Sequence, residues 1–335
     1  MELKELIKNL SNASGVTGLD NAVNIAEKEL RLLGETERDR MGGIAAKIKG
    51  QKDYTILLDA HIDEIGMLVT EIDCDFIRVA KCGGIDARVL ISQEVVIHGK
   101  QDIFGVFCSV PPHIKSEKNT VPELSDMAID VGMKHEDIIK VISVGDRISF
   151  RQTAAEMING RITGKSLDNR AGCAAVIEAA KIACKDGVPP CNIIVSLSAQ
   201  EELGMRGAKT AAYKYEPDEA VVVDVSFGAF PSIPKQKTGK LSSGPMIGIS
   251  PVTDRAMTEQ MKSIAEKAAI PYQCEVCASS TGTNADVISV TKSGIPTALL
   301  SIPLLNMHTP AEIIALDDVE NTAKLIAEYI RKAGN

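Results

Sequence analysis

The sequence predicts an α/β protein, a mixed and mostly parallel sheet flanked by helices, with an inserted β-barrel-like domain. Three observations carry that prediction. Apolar, strand-like runs at Tyr54 to Ala60, Ile193 to Ala199, Ala220 to Val223 and Thr297 to Ile302 alternate with helical segments, which is the rhythm of βαβ units. From Met67 to about Asn159 the texture changes to short alternating runs broken by Gly, Pro and Asp, as in a small barrel or sandwich. The apolar runs also end directly in acids or histidine rather than in neutral turn residues.

Taken in order, Glu2 to Leu10 reads as a short amphipathic helix. Asp20 to Leu33 reads as a second, with apolar positions at Val23, Ala26, Leu30 and Leu33 and a glycine stop at Gly34. After the strand at Tyr54 come the alternating runs Met67 to Ile72, Phe76 to Lys81, Glu94 to His98, Ile103 to Val110 and Arg147 to Arg151. Beyond Gly160 the pattern predicts helix 170–185, strand 193–199, helix 206–214, strand 220–224, helix 253–268, strand 297–302 and helix 317–332. The economical division is therefore a discontinuous α/β domain, residues 1–66 plus 160–335, interrupted by a β-rich insert at 67–159. Short alternating strands provide little core of their own, so the edges and apolar face of the insert call for a cover, most simply a second copy of the chain.

The chemistry gathers at the ends of the apolar runs. In an open, mostly parallel sheet, ligands bind outside the carboxyl ends of the strands, so His61, Glu202, Asp224 and His308 become neighbours although they are far apart in sequence. Asp168, in GKSLDNRAG just before a helix, is a fifth candidate. Two histidines and three carboxylates, with Glu201 beside them, suit a pair of divalent ions bridged by one carboxylate. Zinc, cobalt and manganese all accept that mixed nitrogen and oxygen set. Glu201 and Glu202 would face opposite ways on an extended strand, which suggests that one binds metal and the other stands off as general base. His61 and Asp63 would point to the same side, so Asp63 suits the carboxylate that fixes the tautomer of a ligating imidazole.

Composition bounds the alternatives. At 335 residues, with 44% apolar content, the chain can bury one large core and a smaller one, and it holds no apolar run long enough to span a bilayer. A net charge of −8, only 3% aromatics and no Trp argue against nucleic acid. The N-terminus lacks the apolar core of a signal peptide, and the eight cysteines are scattered as reduced thiols would be. A cytoplasmic protein with no membrane contact is expected. The C-x-x-C of Cys274 and Cys277 has no companion pair, so it reads as structural. Gly160 to Ser166 (GRITGKS) imitates a phosphate-binding loop, but only three residues separate its glycines where four are needed. His98 and His135 read as structural, and His113 stays open.

HIDEIG, GGIDARVL, VPPHI, GKSLDNRAG, SAQEELGMRGA, VVVDVS, SSGP, TGTNAD and MHTPAE occur in that order along the chain. Together they resemble the dinuclear metalloaminopeptidases of metallopeptidase family 42. That group includes glutamyl aminopeptidases and the tetrahedral aminopeptidases, and some members carry an endoglucanase label. The resemblance spans essentially the whole chain and implies a zinc-exopeptidase-like catalytic domain. It implies one ion on His61 and Asp224, another on Glu202 and His308, and Asp168 bridging both. Glu201 would be the proton acceptor and Asp63 the orienting acid. It further implies peptide substrates, an insert used for dimerisation, and dimers assembled into tetrahedral dodecamers. The chain departs from the family pattern at Asn169, Asn284, Leu305 and Asn306, the last three of which are expected near the substrate. Two rivals to the aminopeptidase are a glycoside hydrolase using Glu201 and Glu202, and a non-catalytic assembly protein that keeps metals for stability. Adjacent carboxylates pointing apart suit the glycosidase poorly, because its pair must flank one bond, and Glu201 has no use in the silent protein.

Overall fold

Every apolar run marked in the sequence forms a strand, and the computed structural model describes residues 1–111, 123–235 and 238–333. Helices α1 (Leu3–Asn12) and α2 (Asn21–Leu30) precede β1 (Glu35–Arg38), β2 (Ile44–Ile48) and β3 (Lys52–His61). Next come β4 (Gly66–Asp73), β5 (Phe76–Cys82), β6 (Glu94–His98), β7 (Asp102–Ser109) and β8 (Met127–Asp130), then α3 (His135–Val141) and β9 (Arg147–Phe150). They are followed by β10 (Ala155–Met157), β11 (Arg161–Gly164), α4 (Leu167–Cys184), β12 (Cys191–Ser198), α5 (Arg206–Tyr215) and β13 (Glu219–Phe227). The remaining elements are β14 (Met246–Ile249), α6 (Arg255–Lys267), β15 (Gln273–Val276), α7 (Ala285–Ile288), β16 (Thr297–Leu304), β17 (Glu312–Ala315) and α8 (Leu316–Ala333). His113 lies outside the described residues.

Eight strands form one mixed sheet in the order β1-β2-β12-β3-β13-β16-β14-β15. Its centre, β12-β3-β13-β16, is parallel throughout, while β2 and β14 flank that centre antiparallel. Period-two alternation sends side chains to opposite faces. Ile56, Leu58 and Ala60 of β3 and Val221, Val223 and Val225 of β13 join the core beneath α1, α2, α4, α6 and α8. Leu57, Ala220 and Val222 join the core beneath α5 and α7. Both faces are apolar, so these strands read as continuous hydrophobic runs. Alanines 174, 175, 179 and 180 of α4 are fully buried, and such small side chains let a helix approach its neighbours closely. Among the described residues no helix is long and apolar enough to cross a membrane.

Strands β4 to β9 close a barrel in the order β4-β5-β8-β7-β6-β9, sealed by the pairing of β4 with β9. It has its own core of Met67, Val69, Ile77, Val95, Ile97, Phe107, Ile129 and Ile148, capped by Ile138 of α3. Closure removes free edges, so the edge argument from the sequence does not apply here. Exposed apolar side chains do remain on this unit, at Phe76, Ile91, Phe104, Val110, Ile139 and Val144.

A three-stranded sheet, β10-β11-β17, completes the fold. The register pairs Gly164 with Glu312 and so brings the start of β17 to the segment that leads into Asp168. The apparent phosphate loop is thereby accounted for: its Arg161 to Gly164 are β11, and Lys165 is buried 2.5 Å from the Glu64 carboxylate.

Candidate metal centre

His61 is the last residue of β3, and its strand neighbour in register is Ser198, the last residue of β12. Three residues beyond Ser198, Glu201 and Glu202 lie in a tight turn that follows Gln200, whose φ is 63°. The pair is therefore not on an extended strand, and the argument that their side chains must diverge does not hold: both line the same cavity of about 250 Å³. Asp224 is inside β13 rather than at its end, because that strand runs on to Phe227. His308 sits in a loop after β16 that is closed by reciprocal backbone hydrogen bonds between Leu305 and Ile313 at 2.9 and 3.0 Å. Asp168 is the second residue of α4 and has a non-helical ψ of 105°.

The sheet thus gathers all the expected residues. His61 Nε2 is 3.0 Å from Asp168 Oδ1 and 3.7 Å from Asp224 Oδ1. His308 Nε2 is 3.2 Å from Asp168 Oδ2 and 3.3 Å from Glu202 Oε1. One carboxylate therefore reaches both imidazoles, one oxygen to each. Donor atoms around a tetrahedral ion with bonds of ~2.0–2.2 Å stand roughly 3.3–3.6 Å apart, so each imidazole and its carboxylates fit a divalent ion. Among the described residues, three groups of His, Asp and Glu have metal-holding geometry, and all draw on these residues and Glu201.

The surroundings fix these groups. His308 Nδ1 lies 2.9 Å from the Gly84 carbonyl, so that nitrogen donates and Nε2 is left to face the acids. His61 Nδ1 is 3.2 Å from the Asp63 carbonyl and 3.7 Å from its carboxylate. The Asp63 side chain instead accepts the backbone N–H groups of Glu201 and Glu202, at 3.1 and 3.3 Å. It orients the glutamate turn more directly than the imidazole.

Glu312, unassigned in the sequence reading although it ends the MHTPAE motif, is 1% exposed. It accepts the backbone N–H of Asp168 and that of His308, both at 2.9 Å. Asp59, also buried, accepts from Ser196, Ser198 and Asn284 at 2.8, 3.1 and 2.7 Å. Asn284 is therefore beneath the site rather than beside substrate, whereas Leu305 and Asn306 line a hollow adjoining it. Asn169 bonds the Val223 carbonyl at 2.8 Å. The signal for Glu312 and Asp59 was faint, since one buried acid in a short segment has no periodicity to mark it.

Packing acids this close shifts their protonation. Burial, helped by Glu202, pushes the Glu201 carboxyl up to about 7. Burial also holds the Asp224 and Glu312 carboxyls well above the usual range. Burial opposes ionisation of Asp168 as well, but hydrogen bonds to His308 and His61 outweigh it and keep that carboxyl low. The same contacts, with Glu202, raise His308 to about 11. Divalent cations placed among these groups would compete with protons for the same donor atoms. His98 and His135 lie elsewhere and are satisfied by Asp102 and Ser149 and by the Cys74 carbonyl.

An acid and imidazole cluster with metal-holding geometry, at the carboxyl ends of a mostly parallel sheet and beside a closed barrel, defines an α/β protein with a candidate metal centre. The chain belongs to the M42 glutamyl aminopeptidase family, whose sequence model matches residues 42–325. It is 30% identical to a lysyl aminopeptidase of Pyrococcus furiosus, over 96% of this chain and 94% of that one. Its fold matches an aminopeptidase of Desulfurococcus kamchatkensis with a TM-score of 0.92 at 32% identity, covering 98% of this chain and 94% of the other. It also matches the TET1 peptidase of Pyrococcus horikoshii, described as able to assemble into a tetrahedron or a large octahedral shell, with a TM-score of 0.87 at 28% identity over 99% and 100% of the two chains.

Proposed function

We propose that the protein is a metal-dependent aminopeptidase that releases single residues from the N-termini of peptides. The observation that carries this reading is the Asp168 carboxylate reaching both His61 and His308. In this scheme His61 and Asp224 would hold one divalent ion, Glu202 and His308 would hold the other, and Asp168 would serve both. Zinc, cobalt and manganese suit the donor set. Bound there, a pair of ions would polarise the scissile carbonyl and acidify the attacking water. Glu201 accepts that water's proton at its carboxylate and returns it to the leaving amine nitrogen. Asp63 keeps Glu201 and Glu202 in place through their backbone N–H groups. Glu312 clamps the Asp168 and His308 segments to each other in the same way.

The chain divides, in this reading, into a catalytic domain of residues 1–66 and 160–335 and an inserted barrel of residues 67–159 that makes a dimer contact. Exposed Phe76, Phe104, Ile139 and Val144 on the barrel support that contact, and the tetrahedral relative supports a dodecamer built from such dimers. A cytoplasmic location follows the same expectation. The decisive experiment strips the protein of metal, reconstitutes it with Zn, Co or Mn, and follows release of arylamine from aminoacyl-arylamides. Hydrolysis that returns only with metal supports the reading. Metal-independent hydrolysis, or none with both ions bound, overturns it.

A further inference from the structure

A second hollow of about 250 Å³ opens beside the metal crevice, lined by Phe227, Gly228, Phe230, Ile233 and residues 304–307. It shares two wall residues, Phe227 and Met307, with the crevice itself. Both follow from the strands that carry the proposed ligands: Phe227 is three residues past Asp224 on β13, and Met307 directly precedes His308. The hollow is built into the sheet end. Phe227 pairs with Leu304 across β13 and β16, and Gly228 donates to the Leu304 carbonyl at 2.7 Å. The loop beyond Gly228 is tied back, with Ala229 donating to the Gly239 carbonyl at 2.8 Å and Gly239 to the Phe227 carbonyl at 2.9 Å. Gly228 forms the floor, where a Cβ would stand 2.9 Å from Leu305 Cδ2.

The walls carry five apolar side chains in addition to Met307, and among the described residues no charged side chain lines the hollow. Phe227 and Phe230 are about half exposed, at 49% and 54%, so this is apolar surface turned toward whatever enters. A carboxylate or ammonium placed there would lose its water without gaining a partner. An aliphatic side chain would remove apolar area from water on both sides of the contact.

We propose that this hollow receives the side chain of the substrate's N-terminal residue, and that the enzyme prefers peptides beginning with Leu or Met to peptides beginning with Glu or Lys. The proposal rests on the aminopeptidase reading above. In that reaction the Cα of the first residue is bonded to the scissile carbonyl carbon, so its side chain has to enter the space next to the ligand-bearing strand ends. The hollow occupies that space. The preference differs from the glutamyl and lysyl specificities in the names of the family and of the Pyrococcus furiosus relative, because among the described residues this wall offers neither the cation nor the anion those side chains need.

The test uses metal-loaded full-length protein and the tripeptides X-Ala-Ala, with X as Ala, Leu, Met, Glu or Lys, together with Ala-Leu-Ala and Ala-Glu-Ala. We expect kcat/KM for Leu and Met at least about 10-fold above Glu and Lys, as one apolar pocket can deliver. Phe230→Glu should raise the Lys-to-Leu ratio by about 10-fold or more, and Leu305→Glu, in the segment that follows β16, should do the same. Equal rates across X, a preference for Glu or Lys, or a preference that follows the second residue would overturn the proposal. So would an unchanged ratio in both variants accompanied by a smaller assembly, since the patch would then be a contact between copies. Chelator-sensitive cleavage of Ala-Ala-Ala supports the aminopeptidase reading whatever the series shows, so a flat series sinks the hollow alone. Absence of chelator-sensitive cleavage for every peptide sinks both.

Discussion

Glu201 lines the same cavity as His61, Asp168, Glu202, Asp224 and His308, where a carboxylate can take and return a proton. Glu201→Gln keeps the shape and removes that ability. We expect kcat to fall by about 10²-fold or more with both ions retained, and metal analysis of the purified variant checks it, since loss of an ion would exchange the roles of Glu201 and Glu202. Asp168→Ala removes the only carboxylate that reaches both imidazoles among the described residues, so at least one ion should be lost, and two tightly held ions would refute the bridge. Glu312 makes its case through backbone N–H groups. In Glu312→Gln one of the two amides meets an NH₂ instead of an oxygen, which should weaken metal binding by ~10–100-fold while a fully loaded sample regains most of its kcat. Protons compete for the same site. With His308 raised to about 11 in the metal-free protein, its imidazole is protonated at pH 7, so an ion has to displace that proton. Metal affinity should therefore fall as pH is lowered, and calorimetry in two buffers of different ionisation enthalpy should register proton release on binding.

At the scale of elements, the centre is a junction between strands and the barrel. The Gly84 carbonyl, which follows β5, holds His308 Nδ1, so removing the whole insert would disturb a proposed ligand as well as any interface. Point changes on the barrel surface separate the two effects. Phe104→Glu combined with Ile139→Glu should give a smaller species by light scattering without changing metal content, and an unchanged assembly would place the interface elsewhere. The Lys165 and Glu64 pair joins the N-terminal segment, β11 and the start of α4, since Glu64 also accepts the Gly15 N–H at 2.6 Å and the Ser166 hydroxyl. Both side chains are nearly inaccessible, at 3% and 1%. Lys165→Met removes the ion-pair partner of the buried Glu64 carboxylate, leaving it the Gly15 and Ser166 hydrogen bonds and the more distant Arg170 charge, and should cost about 3–5 kcal/mol in denaturant unfolding.

For the whole molecule, three apolar cores, one on each face of the mixed sheet and one inside the barrel, support the strand ends that line the crevice. Enclosure of that crevice by other copies of the chain would restrict access to short or unfolded peptides. Much of this was legible in advance. Strands β3, β12, β13 and β16 were marked by long apolar runs because both of their faces are buried. Strands β2 and β14 escaped because four or five residues carry too little pattern, and the same is true of β8 and of the short sheet that positions Glu312.

The sequence by itself determined the α/β class with its β insert, the strands of the sheet centre and the residues gathered around the site, because apolar runs ending in acids or histidine record burial and charge locally. Tertiary structure alone decided that β13 continues past Asp224 and that Glu201 and Glu202 share a turn rather than a strand. It also decided that Asp63 grips that turn, that Glu312 ties together two distant segments, and that the expected barrel-like insert is sealed by the pairing of β4 with β9. Each of these depends on which backbone groups from remote parts of the chain need partners. That accounting is settled only when the strands have paired.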